Sequence, residues 1–483
     1  MSSKTDASAL VVFRLVAIAV IVRVIGLNGG LWVDEVYSLV RSFREPMGTI
    51  LTEYWGDNHH PFYAVLAHIS RAVFGESAWS IRLPAMLFGV AAVPMLWRLG
   101  ERVASRREAI MAALLLAVSY HHVWFSQNAR GYSAIAFFAI ATLWALLRGV
   151  ESGERRYFFV YAVLAALGAY THLTMIFVVV GHAAAMGVWL LMTRVPNRGR
   201  LVGFGVLAFG LSAVGTLLLY APMLRAVLAF FTQQKSGLAG VSTPSWAAVE
   251  MVRGLMLGLG AGGTVVAAIV LSIGAAVGVA GVASLWRTQR LFLLATLAPI
   301  GVTILGAAAT RGTMYPRFFF FAIGPAILIA VHGAFVSCKW LATRFSSVRS
   351  GERLATIALS LGVILSALSL RADYRFPKQD FEGAMNFVLA ERGAGDMVVT
   401  AGIPSNPLNT LYRQPWPVVS SRASLDSVRS SAARTWVIWS FPRILERSAP
   451  EIAQLLSQDC PHPRTFRGTV GGGDILVCVL NRP

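Results

Sequence analysis

Residues 201–222 read LVGFGVLAFGLSAVGTLLLYAP, a run of 22 residues without a single charged side chain. A helix of about 20 such residues crosses the roughly 30 Å of hydrocarbon in a bilayer. Apolar runs of this kind recur from about residue 10 to about residue 370 and then stop, and 56% of the 483 residues are hydrophobic. A soluble core of that length needs far less apolar content. The sequence therefore predicts a polytopic α-helical membrane protein.

Eleven membrane spans are predicted, and basic residues indicate which connections face the cytoplasm. Lys and Arg cluster in every second connection, for example around Arg106, Arg198 and Arg287, as the positive-inside rule requires of cytoplasmic loops. The formal net charge of +19 therefore reflects topology and not nucleic-acid binding. The predicted spans are residues 9–27, 78–97, 108–126, 132–148, 157–171, 173–192, 201–222, 262–285, 290–309, 316–336 and 354–370.

The odd number of spans sets the predicted topology. With Lys4 in the cytoplasm, residues 371–483 are expected outside it, in the periplasm of a Gram-negative cell. Arg14 and Arg23 interrupt the first apolar stretch and no small-residue cleavage site follows, so this stretch is expected to stay as a span of the inner (plasma) membrane. The chain then divides into a membrane domain, residues 1–370, and an extracytoplasmic domain, residues 371–483.

The C-terminal domain has a different pattern from the spans. Runs of strand length alternate with helical patterns, at residues 381–392, 397–400, 436–438, 450–457 and 475–480. This alternation predicts a small α/β domain, with a turn at residues 471–473 that carries no chemistry. Cys460 and Cys478 could close a disulfide there, although a single pair is also compatible with coincidence. Cys338 falls on the cytoplasmic side, where thiols stay reduced.

The first outer loop carries two amphipathic patterns. In residues 33–43 the apolar side chains share one face and leave Ser38 and Arg41 on the polar face. In residues 61–74 the apolar side chains share a face opposite His68 and Arg71. The second stretch is too short to cross a bilayer. Both stretches are predicted to be amphipathic helices at the membrane surface.

Asp34 and Glu35 stand together in LWVDEVYSL, residues 31–39, just beyond the outer end of the first span. The chain has only 23 acidic residues, so an adjacent pair at the membrane surface is a candidate site. The pair could act as a base, bind a metal, or simply be solvated near a helix N-terminus, where carboxylates are favoured by the helix dipole.

Four segments in order resemble a known family. They are LWVDEVYSL at 31–39, DNHHPFY at 57–63, FGESAWSIRLPAMLFG at 74–89 and SQNARGYSA at 126–134. Their order resembles the bacterial relatives of the dolichyl-phosphate-mannose protein mannosyltransferases, a group whose C-type glycosyltransferase fold is shared by the lipid A aminoarabinose transferases. The motifs cover residues 30–150, and hydropathy extends the likeness to about residue 370.

The resemblance implies that a sugar moves from a polyprenyl-phosphate carrier to an acceptor outside the cytoplasm, namely a protein, a glycolipid or a polysaccharide. It also implies that Asp34 is the catalytic residue of the acidic pair. Some relatives carry an acidic–basic pair, assigned to carrier contacts, where this chain has His59 and His60. Carrier, acceptor and membrane lipid are the expected partners.

Transfer from a lipid phosphate needs a base for the acceptor hydroxyl and positive charge for the departing phosphate. Asp34 can take the proton, with inversion at the anomeric carbon as the simplest outcome, and Glu35 can orient a partner or hold the loop. Arg311 and Arg317, with Tyr315, lie where a predicted span opens and can bind the phosphate, or the arginines can snorkel to lipid head groups. Arg130 has the same two interpretations, with structural pairing to the acidic pair as a third.

Two other interpretations of the sequence stay open. His59 and His60 could bind a divalent metal with Asp57 or Asp34, although adjacent histidines on a helix point in different directions. No cofactor is required by the sequence. The main alternative function is a transporter or flippase of a lipid-linked sugar, but such carriers usually place ionisable groups near the bilayer midplane, and acidic residues are absent from the interiors of the predicted spans.

Overall fold

The computed structural model describes residues 2–56, 59–233, 249–250, 252–254, 256, 263–309, 315–344 and 347–482. The chain forms two compact units. One comprises Met1–Ile25, Gly48–Ala67 and Arg82–Leu370, and the other comprises Gly26–Met47, His68–Ile81 and Arg371–Pro483. The second unit thus contains most of the first outer loop together with the C-terminal part of the chain.

Helices account for the whole described chain up to residue 375, apart from short connections. In chain order they are α1 (Ser2–Val24), α2 (Val33–Ser38), a π-helical turn (Leu39–Phe43), α3 (Met47–Thr52), α4 (Pro61–Phe74), α5 (Ala78–Val103), α6 (Arg106–Val118), α7 (Tyr120–Ser126), α8 (Tyr132–Ser152), α9 (Arg155–Thr171), α10 (Thr174–Met192), α11 (Arg198–Tyr220), a 3₁₀ turn (Ala221–Met223), α12 (Leu224–Gln233), α13 (Gly263–Thr288), α14 (Arg290–Ala309), a 3₁₀ helix (Pro316–Ala322), α15 (Ile323–Thr343) and α16 (Val348–Arg375).

The chain is a multi-pass integral membrane protein. Among the described residues, eight helices are long and apolar enough to cross a bilayer, and there are nine if the bent pair α6 and α7 is one span. These nine coincide with nine of the predicted spans. The remaining two predicted spans, residues 9–27 and 157–171, also form helices, α1 and α9, but neither is among the nine, and α9 has only 17 residues. The prediction of eleven spans is therefore matched in part.

Helices α13 and α15 of the first unit pack so closely that their backbones are in contact. A Cβ atom at Gly333 would overlap the carbonyl oxygen of Val277, and one at Gly281 would overlap that of Ile329. Small residues let membrane helices approach until their backbones touch, and van der Waals contact then stabilises the pair. Beside this contact His332 Nε2 lies 3.0 Å from the hydroxyl of Ser284, which adds a polar link between the same two helices.

The first outer loop differs in part from its predicted form. The second predicted helix is confirmed with its bounds, as α4 (Pro61–Phe74). The first begins as α2 but widens into a π-helical turn at Leu39, which shifts the faces of the residues that follow. Within α2 itself, before this turn, Ser38 is buried at 4% exposure although it was expected on the polar face; Arg41, in the turn, is exposed.

The C-terminal part of the second unit is a five-stranded sheet with flanking helices, as predicted for an α/β domain. Its elements are α17 (Phe381–Glu391), β1 (Met397–Ala401), α18 (Ser405–Thr410), β2 (Val418–Val419), α19 (Arg422–Ser431), β3 (Arg434–Trp439), α20 (Pro442–Ser448), α21 (Pro450–Asp459), β4 (Arg464–Phe466) and β5 (Ile475–Asn481). The strand order is β2-β1-β3-β5-β4, with β1 parallel to β2 and β3, and β5 antiparallel to β3 and β4. The short strands β2 and β4 were not predicted.

Cys460 and Cys478 form a disulfide, which resolves the alternative that the sequence left open. Cys460 follows α21, and Cys478 lies in β5 opposite Val437 of β3. The bond therefore ties the end of α21 to an inner strand of the sheet. Cys338 is a free thiol in α15.

Candidate functional site

The acidic pair lies at the start of α2 in the second unit. Asp34 is half-buried, whereas Glu35 has 0% exposure. The Glu35 carboxylate accepts a hydrogen bond from the backbone N–H of Trp32 at 3.2 Å, reaching back over the first turn of the helix. Since the first N–H groups of a helix have no intrahelical acceptor, this bond stabilises the helix start. Glu35 therefore acts on the loop itself, and Asp34 is the more accessible of the two carboxylates.

Four basic side chains form a cluster in the first unit, here called the basic cluster: His60, Arg130, His172 and Arg317. Arg130 Nη2 lies 2.8 Å from His60 Nε2, and the rings of His60 and His172 meet edge to face with centroids 4.7 Å apart. Arg130, His60 and His172 are all buried, at 1%, 4% and 8% exposure. The half-buried Arg317 guanidinium stacks over Tyr315, 4.4 Å from the ring centroid.

The imidazoles of the basic cluster are neutral. Burial and the Arg130 guanidinium hold the pKa of His60 well below its usual value, and burial with Arg130 and Arg317 lowers the pKa of His172 to about 3. Both ring nitrogens of His60 also face N–H groups, since the backbone N–H of Gly131 lies 3.2 Å from Nδ1. A neutral imidazole can accept a hydrogen bond at one of these two nitrogens, whereas an imidazolium could accept at neither. The positive charge of the cluster therefore resides on the two guanidinium groups.

His59 precedes the cluster and belongs to an aromatic stack. Its ring lies parallel to Trp55, with centroids 5.2 Å apart, and 5.6 Å from Tyr54. The ring is 5% exposed, and neither nitrogen has a hydrogen-bond partner within the described ranges. Burial and Arg130 lower the pKa of His59 to about 4. His59 therefore combines an apolar face with two polar atoms available for hydrogen bonding.

Arg23, at the end of α1, holds the break between α6 and α7. It is 0% exposed, donates to the carbonyl oxygens of Ala19 and Ala117 at 3.0 Å each, and lies 2.6 Å from His122 Nδ1. The chain bends by 56° between α6 and α7, where helix-end carbonyls need partners from outside the helix. Sequence reasoning missed this role of Arg23, although a charged residue inside an apolar run is a signal for it.

The segment after this break carries Arg130. Gln127 Nε2 donates to the Arg23 carbonyl at 3.0 Å and also to that of Ile25. Gly131 then precedes α8, and a Cβ there would lie 2.7 Å from His60 Nδ1 and against Thr171, so that only glycine permits this approach. Arg130 is thus placed between an anchored segment and the first turn of a helix.

The structure places His60, Arg130 and Arg317, three of the residues selected from the sequence, in one cluster, and it adds His172, which sequence reasoning did not select. Its only signal was a polar residue in the short turn between two apolar runs. Tyr315 lies beneath Arg317, while Arg311 and Asp57 fall outside the described residues. Asp34 and Glu35 belong to the other compact unit. Across the described ranges no group of three or more His, Cys, Asp or Glu side chains has the arrangement of a metal site.

Comparison with protein families finds a match to part of the membrane domain. Residues 58–224 match the profile of the family described as dolichyl-phosphate-mannose-protein mannosyltransferase. The resemblance to this family is confirmed. The matched stretch contains His60, Arg130 and His172 of the basic cluster, but it contains neither the acidic pair nor Arg317. A search of curated proteins finds no match.

Two solved structures share the fold over nearly the whole chain. ArnT from Cupriavidus metallidurans bound to undecaprenyl phosphate is 13% identical, with a TM-score of 0.51, over 98% of this chain and 98% of that one. The archaeal oligosaccharyltransferase AglB from Archaeoglobus fulgidus, in complex with an inhibitory peptide and a dolichol-phosphate, is 13% identical, with a TM-score of 0.59, over 99% of this chain and 74% of that one. The chain therefore has the C-type glycosyltransferase fold.

Proposed function

We propose that this protein is a membrane glycosyltransferase that takes a sugar from a polyprenyl-phosphate carrier and transfers it to an acceptor outside the cytoplasm. The observation that carries the proposal is the basic cluster, in which a buried and a half-buried guanidinium stand beside two neutral imidazoles. Guanidinium groups bind phosphate oxygens through charge-assisted hydrogen bonds, and two guanidinium groups in one cluster can hold one phosphate from two sides. The phosphate of the carrier is the anion that fits this chemistry.

The neutral imidazoles of His60 and His172 are compatible with binding of the carrier phosphate. His60 and His172 stay uncharged, so at neutral and mildly acidic pH the charge of the cluster is that of its two guanidinium groups. As the bond between the anomeric carbon and the phosphate oxygen breaks, negative charge grows on the phosphate. Fixed positive charge at that point stabilises the transition state more than the ground state.

Asp34 is the proposed general base. An acceptor oxygen attacks the anomeric carbon, the bond from that carbon to the phosphate oxygen breaks, and the hydroxyl proton passes to the Asp34 carboxylate. A single displacement of this kind inverts the anomeric configuration. Glu35, which is buried and bonded to the Trp32 N–H, supports the loop instead of reacting.

His59 is proposed to contact the sugar. Sugar rings pack against flat aromatic faces through their C–H groups and use their hydroxyls for hydrogen bonds. The stack of His59 on Trp55 offers such a face, and the two nitrogens of His59 offer polar atoms. Its position directly before His60 of the basic cluster supports a sugar subsite next to the phosphate.

The solved neighbours support the donor class. ArnT is described as bound to undecaprenyl phosphate, and AglB as bound to a dolichol-phosphate and a peptide. Undecaprenyl phosphate and dolichol-phosphate are both lipid phosphates. A polyprenyl phosphate is accordingly the donor proposed here, and a protein, a glycolipid or a polysaccharide the acceptor.

Replacement of Asp34 tests the proposal. Asp34→Asn keeps the shape of the side chain but cannot take a proton, so transfer by the reconstituted protein should fall by about 100-fold or more. Asp426→Asn, at a half-buried aspartate of α19 in the C-terminal domain, is the matched control and should transfer normally. Glu35→Gln should cost less than Asp34→Asn. Full activity of Asp34→Asn with purified carrier, or movement of the lipid-linked sugar across the bilayer without transfer, would overturn the proposal.

A further inference from the structure

Gln379, between α16 and α17, joins the segment that carries Asp34 and Glu35, residues 31–38 and here called the acidic loop, to a turn of the C-terminal domain within the second unit. Its side chain is 2% exposed. The amide oxygen accepts a hydrogen bond from the Val33 N–H at 2.9 Å, and the amide nitrogen donates to the Gly473 carbonyl at 2.9 Å. Both functions of the amide are therefore used. A leucine could make neither bond, and a glutamate could only accept.

Helix α2 depends on an acceptor from outside for its first N–H group. Trp32 occupies the cap position and its indole has no acceptor oxygen, so the usual Ser, Asp or Asn cap is missing. Glu35 satisfies the N–H of Trp32, and Gln379 satisfies the N–H of Val33. The helix is six residues long, too short to be stable by itself. The bond to Gln379 therefore fixes the helix one residue before Asp34.

The segment that carries Gln379 is itself held by the turn that precedes β5. Thr469 donates its N–H to the Pro377 carbonyl at 3.0 Å, and Val470 donates its N–H to the Lys378 carbonyl at 3.1 Å. These bonds flank Gln379 on its N-terminal side, while its own amide reaches Gly473. The glycine-rich turn at residues 471–473 was predicted to carry no chemistry. Together with Thr469 and Val470 it holds the Gln379 side chain and its backbone in place.

We propose that Gln379 is a positioning residue, which holds the acidic loop so that Asp34 meets the acceptor hydroxyl and which makes turnover depend on a folded C-terminal domain. The inference rests on the proposed role of Asp34 as the base. Gln379 touches no reacting atom in this scheme. Its loss should therefore lower kcat and leave the KM for the lipid carrier unchanged, because the phosphate is bound by the basic cluster.

The test uses the full chain in proteoliposomes with a polyprenyl-phosphate sugar. Gln379→Leu keeps the volume of the side chain and removes both hydrogen bonds, and kcat should fall about tenfold with an unchanged KM for the carrier. Backbone amides of residues 31–38 should exchange with deuterium faster than in the unmodified protein. Gln454→Leu, on the exposed side of α21 in the same domain, is the matched control and should change neither quantity.

A second variant approaches the same bond from its other end. Val33→Pro removes the donor N–H, while proline at the first helical position keeps the helix. It should also lower kcat, and it decides the question if Gln379→Leu does not fold. If both variants turn over normally while Asp34→Asn is inactive, the positioning role is overturned and the glycosyltransferase proposal stands. If Asp34→Asn is fully active, the proposed function fails and the inference fails with it.

Discussion

Arg130 Nη2 and His60 Nε2 lie 2.8 Å apart, and only the imidazole of this pair can change its charge in the accessible pH range. The arginine is always the donor, so His60 must present a lone pair. Protonation of His60 would place a positive charge directly against the guanidinium. The contact thus favours neutral His60, and Arg130 carries the positive charge of this pair at every accessible pH.

Stability should fall when the pH drops from 6.5 towards 4. The pKa of His59 is lowered to about 4 and that of His172 to about 3, from an ordinary value of about 6.5, and the pKa of His60 is also lowered. Between pH 6.5 and 4 these histidines are largely protonated in the unfolded chain and largely unprotonated in the folded chain. The free energy of unfolding therefore rises with pH. The slope is at most about 1.4 kcal/mol per pH unit for each histidine.

Melting temperatures in detergent at pH 7.5, 6 and 5 check this expectation. His59→Phe keeps the stack on Trp55 but removes one of the histidines that resist protonation, so the loss of stability between pH 7.5 and 5 should be smaller in this variant. Equal melting temperatures of the unmodified protein at pH 5 and 7.5 would contradict the prediction.

Arg317→Ala should weaken use of the lipid carrier far more than it weakens folding. A charge-assisted contact of this kind is worth about 1.5 to 3 kcal/mol, so the KM for the carrier should rise about tenfold or more. Arg344→Ala is the matched control, because Arg344 also stacks on an aromatic ring, at 5.1 Å from Trp340, near the other end of the same stretch of helix. An unchanged KM in Arg317→Ala would make Arg317 a membrane anchor only.

Removal of the disulfide should loosen the C-terminal domain. The bond closes a loop with a sequence separation of 18, for which chain entropy predicts a stabilisation of about 3 kcal/mol. Cys460→Ser with Cys478→Ser should therefore make residues 371–483 more sensitive to protease than in the unmodified protein. Cys338→Ser, which removes the free thiol, should leave the protease pattern unchanged.

The C-terminal domain is expected outside the cytoplasm, which the disulfide favours because such bonds persist in oxidising compartments. Alkaline phosphatase fused after about residue 375 should be active, and a reporter that works only in the cytoplasm should be inactive at the same junction. The opposite pair of results would invert the topology and move the carrier site to the other side of the membrane.

Local pattern predicted much of this fold. The apolar runs gave the bounds of most spans to within a few residues, and the period of the apolar side chains in residues 61–74 gave α4. The break at Ser119 was not predicted, because it is stabilised by Arg23 from a helix far away in sequence. The local sequence pattern around Ser119 carries no information about a partner so distant in the chain.

The candidate site was predicted less completely for the same reason. Asp34, His60, Arg130 and Arg317 were selected as charged or polar residues near the ends of spans. His172 was not, because its proximity to His60 arises only when α9 and α10 are packed against α8. Gln379 was missed because an uncharged residue in a connection gives no chemical signal until its two hydrogen bonds are seen.

The acceptor for the Val33 N–H lies 346 residues further along the chain. At a synthesis rate of about 5 to 20 residues per second, the ribosome makes Gln379 about 20 to 70 s after it has made the acidic loop. During that interval the membrane helices can already insert, but the Val33 N–H in the helix that carries Asp34 lacks its acceptor. On the proposed mechanism, a chain that lacks residues 371–483 would bind the carrier without the base in place, and sugar transfer would begin only once these residues have been made and have folded.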